Sequence, residues 1–175
     1  MNLPKFIIYL SRIKKTITKK DFFVWETKKV KHKISLGNKG ASWTVSTEKI
    51  DKNTILYSFG VGTDISFDTE MISRYGLKVY AFDPTPKSIQ WVKDQKLPKE
   101  FIFQPYGLAA ESGEIEFTLP ENSNYVSGSI HNVLGSKGTT INVPVKNLEE
   151  IMSSFSHSQI DVLKMDIEGS EYEVI

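Results

Sequence analysis

From residue 55 onward, short apolar runs alternate with stretches whose apolar positions recur at helical spacing. "ILYSF" at Ile55–Phe59 reads as a buried strand. Across Ser66–Tyr75, Phe67, Met71 and Ile72 fall on one side of a helix, and Gly76 provides its stop. Lys78–Phe82 reads as a second strand. Thr85 can cap a following helix with Pro86 in its first turn; this helix carries Ile89, Trp91 and Val92 and ends before Pro98. Residues 101–103 form a third short strand. The rhythm then changes. Residues 114–119 alternate like an exposed strand, 120–138 are rich in Asn, Ser and Gly and read as a loop, and 139–145 read as another strand. Asn147 caps a short helix with Glu150 at the capping-box position. Residues 162–167 form a last buried strand.

Strands alternating with helices predict an α/β fold, with a mostly parallel sheet flanked by helices. Ligands of such sheets bind beyond the carboxyl ends of the strands, near the switch in strand order. The acidic turns after the first and second strands fall at that edge.

The composition is that of an ordinary soluble globular chain: 175 residues, 39% hydrophobic and 25% charged. With no cysteine, disulfides and thiolate metal sites are excluded, and a cytoplasmic location is compatible. The net charge of +1 is unevenly spread, since residues 1–33 carry ten Lys/Arg against two Asp/Glu. This divides the chain into a basic arm, 1–33, and a mildly acidic domain, 34–175. The apolar run at residues 6–10 is far too short for a signal peptide or a membrane span. Leu3, Phe6, Ile7, Leu10, Ile13 and Ile17 share a helical face. Docking of that face on the domain or on a second subunit is preferred, with peripheral contact to an anionic membrane as the alternative. Nucleic acid is not expected as a partner, because the positive charge lies in the arm and no aromatic-rich basic surface is evident.

The loop "FGVGTDISFD" asks what it holds. A dinucleotide fingerprint needs a third glycine, and Ile65 stands there; the P-loop pattern is absent. Asp64 lies in the turn itself, where a carboxylate repels a pyrophosphate. Asp83 ends the second strand at the distance expected of a ribose-binding acid. Asp166 and Glu168 form a third acidic turn before Gly169, with helix capping as the plainer alternative. Carboxylates converging on one cleft suit a ligand with ribose hydroxyls, an amine and a positive centre. S-adenosylmethionine has that make-up.

The stretches "YSFGVGTDISFD", "VYAFDPTP", "FQPYGLA" and "DVLKMDIEGSEYEVI" occur in the order seen in FkbM-type methyltransferases, and "GNKGASW" resembles the segment before them. The chain resembles that class I, Rossmann-like family from about residue 34 onward. The resemblance implies S-adenosylmethionine as methyl donor and a hydroxyl acceptor on a sugar, glycan or small metabolite. Gly60 and Gly62, entered through Ser58 and Phe59, would lie beneath the methionine part. Asp83 would bind the ribose, and Gly107 and Leu108 would lie near the adenine. Asp166 and Glu168 would face the methyl group and the acceptor as catalytic residues. Many class I enzymes carry an acid two residues before the first glycine. Here that position is Ser58, with Asp64 as the candidate to meet the ammonium. Family domains continue past the "DIEG" strand, so the sheet is expected to be cut short after its fourth core strand, leaving an open edge for an oligomer or partner.

A divalent ion between Asp166 and Glu168 is chemically admissible, but two acids alone do not define a metal site and none is assigned. His32, His131 and His157 are scattered and read as surface residues. The loop "PENSNYVSGSIHN" either overhangs the acceptor site, with Tyr125, Ser127 and Ser129 at hand, or is a mobile surface loop. Two other functions share part of this pattern: a nicotinamide-dependent oxidoreductase, which lacks its phosphate turn here, and a non-catalytic Rossmann-like binding module.

Overall fold

The computed structural model describes residues 30–119, 139–167, 171 and 174. The chain divides between Lys31 and His32, and the unit His32–Ile175 carries everything below. The arm helix, the loop at 120–138 with Tyr125, Ser127, Ser129 and His131, the residues Glu168 and Gly169, and the start of any helix after them lie outside the described residues.

The central sheet has four parallel strands. They are β3 (Ile55–Phe59), β4 (Lys78–Phe82), β5 (Phe101–Gln104) and β9 (Val162–Met165), in the order β5-β4-β3-β9. The order turns at β3, between β4 on one side and β9 on the other, so the cleft beyond its carboxyl end is the topological switch point. This is the Rossmann-like arrangement the alternation predicts. β9 is shorter than expected, ending at Met165, which leaves Asp166 and Ile167 beyond the sheet.

β3 and β4 are apolar on both faces because both faces are covered. On one face, helix α1 (Ser66–Tyr75) lays Phe67, Met71 and Ile72 over Leu56, Val79 and Ala81. On the other, Tyr57, Phe59, Tyr80 and Phe82 pack with Leu108 and with Ile151 of helix α3 (Leu148–Ser154). Phe59 and Phe82 stack there with ring centroids 4.5 Å apart. Each such fully buried side chain stabilises the fold by about 1.5–3 kcal/mol. Gly76 ends α1 at φ 66°, and its N–H reaches back to the Ile72 carbonyl.

Helix α2 (Pro86–Lys93) begins after Thr85, but the Thr85 hydroxyl does not cap it. It bonds instead to the Asp83 carboxylate and to Ser88. The capping box at α3 is half formed. Asn147 Oδ1 accepts from the Glu150 N–H at 2.8 Å, while the Glu150 carboxylate turns to Ser112 and Lys146. The Asn147 N–H donates to Ser112 Oγ at 3.0 Å, which takes the place of the missing return bond.

Two smaller sheets flank the centre. β1 (Lys33–Leu36) and β2 (Trp43–Ser46) form an antiparallel hairpin that the sequence pattern does not announce. β6 (Gly107–Leu108), β8 (Thr139–Lys146) and β7 (Gly113–Leu119) form a mixed three-stranded sheet in the order β6-β8-β7. Among the described residues, no helix is long and apolar enough to cross a membrane.

Candidate functional site at the switch point

A cleft of about 580 Å³ opens beyond the carboxyl ends of β3, β4 and β9. Its floor is the turn after β3. Gly60 adopts φ 75° and Gly62 φ 59°, conformations that favour glycine. A Cβ on Gly60 would stand 2.0 Å from the Asp166 carbonyl oxygen, so this position admits no side chain. The turn is tied down by backbone as well: Gly60 N–H donates to Phe82 O at 3.0 Å, and Asp166 N–H donates to Phe59 O at 3.1 Å.

Asp83 sits at the end of β4 and is 4% exposed. Its Oδ2 accepts from the Gly62 N–H at 2.9 Å. Its Oδ1 accepts from the Thr85 N–H at 2.9 Å and from the Thr85 hydroxyl at 2.6 Å. A carboxylate oxygen has two lone-pair sites. Oδ1 is therefore saturated within the protein, and Oδ2 keeps one acceptor site. The carboxylate that a ligand would meet is preorganised by the turn it faces.

Asp64 also lines the cleft, yet both its oxygens have partners. Oδ1 accepts from Ser66 N–H at 2.8 Å, starting α1, and Oδ2 accepts from the Asn38 side chain at 3.1 Å. Partial burial works against its charge. The bonds from Ser66 and Asn38, with the Lys164 ammonium, outweigh it and hold the Asp64 carboxyl below the usual carboxylate range. Asn38 N–H donates to Ser66 Oγ at 2.7 Å as well, so the β1–β2 loop is pinned to the start of α1. That brings Gly40, Ala41, Ser42 and Trp43 to the rim.

The other predicted residues are distributed as follows. Phe59, Gly107, Leu108 and Asp166 line the cleft, and Asp166 is exposed. Ser58 does not line it: this residue is fully buried and faces α1. Glu168 lies outside the described residues. Among the described residues, no three His, Asp or Glu side chains gather as a metal site. His157 lies away from the cleft, half-buried, with Nδ1 2.8 Å from the Tyr57 hydroxyl.

Pattern reasoning missed Lys164, Trp43, Asn38 and Asp68. Lys164 is the only basic residue among the described cleft-lining positions, and its Nζ donates to the Gly60 carbonyl at 3.4 Å beneath the Trp43 ring. Two signals were available. A lysine interrupts the apolar run "DVLKMD", and Asp68 falls on the same helical face as Phe67, Met71 and Ile72.

A parallel sheet, a glycine turn at the switch point and an acid ending the neighbouring strand define a Rossmann-like protein. Residues 46–175 match the methyltransferase FkbM domain, and the chain belongs to that family. It is similar to Probable methyltransferase-like protein 24 of Homo sapiens, with 26% identity over 125 residues, covering 71% of this chain and 28% of the relative. It is also similar to Hexuronic acid methyltransferase AglP of Haloferax volcanii, with 27% identity over 130 residues, covering 73% of this chain and 51% of the relative. The chain thus spans between 28% and 51% of the length of these relatives. No solved structure matches it.

Proposed function

We propose that the domain is an S-adenosylmethionine-dependent methyltransferase acting on a hydroxyl of a sugar, glycan or small metabolite. The observation that carries this reading is the Asp83 carboxylate, fixed against the glycine turn with one acceptor site left at the cleft. That suits a ribose hydroxyl. The cleft also fits the rest of the cofactor. The Gly60 turn, packed against the Asp166 backbone, forms one wall, Gly107 and Leu108 offer buried apolar surface, and Asp64 supplies negative charge near an ammonium. A pyrophosphate would meet Asp64 and Asp166 and no phosphate turn, which disfavours a dinucleotide.

When bound, the cofactor supplies an electrophilic methyl group on a sulfonium. The chain's own task is alignment and proton removal. Asp166 is suited to the second, because it is exposed at the cleft and its carboxylate has no hydrogen bond among the described residues. Glu168 is its proposed companion on the grounds of the motif. The hexuronic acid named for the archaeal relative favours a sugar as acceptor here.

Calorimetric titration of the full chain with S-adenosylhomocysteine and with NAD tests the reading. Micromolar binding of the first and none of the second is expected. Binding of NAD alone would point to an oxidoreductase, and binding of neither to a non-catalytic module. A screen of hydroxylated sugars with labelled methyl donor then identifies the acceptor class.

A further inference from the structure

Three contacts seat the β1–β2 loop on the start of α1, and none of them uses the side chain of Asn38. Leu36 is 1% exposed and belongs to the same core cluster as Phe67. The Gly37 N–H donates to the Glu70 carboxylate at 3.4 Å, and the Asn38 N–H donates to Ser66 Oγ at 2.7 Å. Within the loop, the Ala41 N–H donates to the Asn38 carbonyl at 3.0 Å. Gly37 has φ 98°, and a Cβ there would stand 3.2 Å from the Phe67 nitrogen, so the backbone already lies close on the helix. The Asn38 side chain is not needed as a tether. It turns to a cleft-lining acid instead, where its Nδ2 donates to Asp64 Oδ2 at 3.1 Å.

Asp64 carries a negative charge into the cleft. Burial works against that charge, and the bonds from Ser66 and Asn38, with the Lys164 ammonium, outweigh it. Both hydrogen-bond donors are neutral, so they orient the charge without cancelling it. The Ser66 N–H holds Oδ1 from the helix side, and Asn38 holds Oδ2 from the loop side. A carboxylate oxygen has two lone-pair sites, so Oδ2 can accept from Asn38 and from a ligand together. A carboxylate already held in place loses less freedom when a cation docks on it. The hairpin also sets Trp43 against the neighbouring cation, with the Lys164 Nζ 5.2 Å from the ring centroid.

We infer that Asn38 is a positioning residue that aims the Asp64 carboxylate at the ammonium on the amino-acid end of the methyl donor. This rests on the S-adenosylmethionine reading above. Asn38 lies ahead of residues 46–175, the stretch that matches the family domain. The hairpin before that stretch is therefore part of the donor site. Asn38 acts through Asp64, and its effect is confined to ligands that carry the amino-acid end.

Calorimetry of the full chain with S-adenosylhomocysteine and with 5′-methylthioadenosine tests this. The second ligand keeps the adenosine and the thioether but lacks the ammonium and its carboxylate. N38A is expected to weaken S-adenosylhomocysteine about fivefold and to leave 5′-methylthioadenosine within about twofold. D64N should show the same selectivity with a larger loss. Adding N38A to D64N should then change nothing further, because the charge to be aimed is gone. An unchanged S-adenosylhomocysteine affinity in N38A, equal losses for both ligands, or additive losses in the double variant would overturn the inference while leaving the cofactor assignment intact. If the unmodified chain does not bind S-adenosylhomocysteine, the cofactor assignment fails and this inference falls with it. A measurement on the unmodified chain covers an N38A chain that does not fold. The Asn38 side-chain amide signals, followed by nitrogen-proton NMR, should shift on adding S-adenosylhomocysteine and stay in place on adding 5′-methylthioadenosine. Signals that S-adenosylhomocysteine leaves in place overturn the positioning role.

Discussion

The Asp83 carboxylate accepts a hydrogen bond from the Gly62 N–H at 2.9 Å, joining the ends of two neighbouring strands across 21 residues of sequence. The same side chain receives both donors of Thr85. Asp83→Ala removes the acceptor for all three while leaving two backbone N–H groups in a buried site. The expected cost is about 2–3 kcal/mol of stability, since bonds to a charged acceptor are worth about 1.5–3 kcal/mol. Affinity for S-adenosylhomocysteine should fall by at least tenfold. Urea unfolding and calorimetric titration check the two effects separately.

Gly60 and Gly76 both have positive φ but differ in their surroundings. A Cβ at Gly60 meets the Asp166 backbone, whereas one at Gly76 meets nothing within 4 Å. Gly60→Ala should therefore cost about 3–5 kcal/mol, as overpacking adds to left-handed strain. Gly76→Ala should cost only the strain, about 1–2 kcal/mol. Thermal unfolding of the two variants side by side measures the difference, and equal losses would count against the close approach at Gly60.

Asp166→Asn is expected to lower methyl transfer by at least about 100-fold, the lower range for loss of a general base. Because this carboxylate is exposed, stability should change by less than about 0.5 kcal/mol. Cofactor affinity should stay within about threefold. Turnover equal to that of the unmodified chain would remove Asp166 from the proposed mechanism.

The Tyr57–His157 pair makes stability depend on pH. Burial, with the Lys78 charge, keeps the His157 pKa below its ordinary value of 6.5. Burial also pushes the Tyr57 phenol up to about 12, so it stays protonated across this range, 2.8 Å from His157 Nδ1. The unfolded chain then binds more protons below pH 6.5, and stability is present above that value and lost as pH falls through the folded pKa. Urea unfolding from pH 8 to pH 5 should show this decline, and His157→Phe should flatten it.

Much of the central sheet was legible because each strand is a short apolar run and each helix has a clear apolar face. Ser66–Tyr75 and Lys78–Phe82 form as the pattern predicts, and Gly76 stops the helix. The β1–β2 hairpin was not legible. It is half exposed and takes its position from Asn38 bonds to Asp64 and Ser66, more than 25 residues away, which no local periodicity records. Asp83 could be singled out by spacing, but not its bond to Gly62, which depends on register between strands. His157 looked like a surface residue because its partner, Tyr57, is 100 residues earlier in the chain. Asp64 drew attention because it interrupts a glycine turn. Asp68 sat inconspicuously among the apolar residues of the same helix.

The Gly60 turn is held by residues made long after it. Lys164, whose ammonium grips the Gly60 carbonyl, follows it by 104 residues. On a ribosome adding roughly 5–20 residues per second, that interval is about 5–20 s. For that time β3 has emerged with no β9 beside it, and its apolar edge is open to other nascent strands. The pocket is therefore completed late in synthesis, and any chain released before Asp166 would carry the glycine motif without the wall that shapes it.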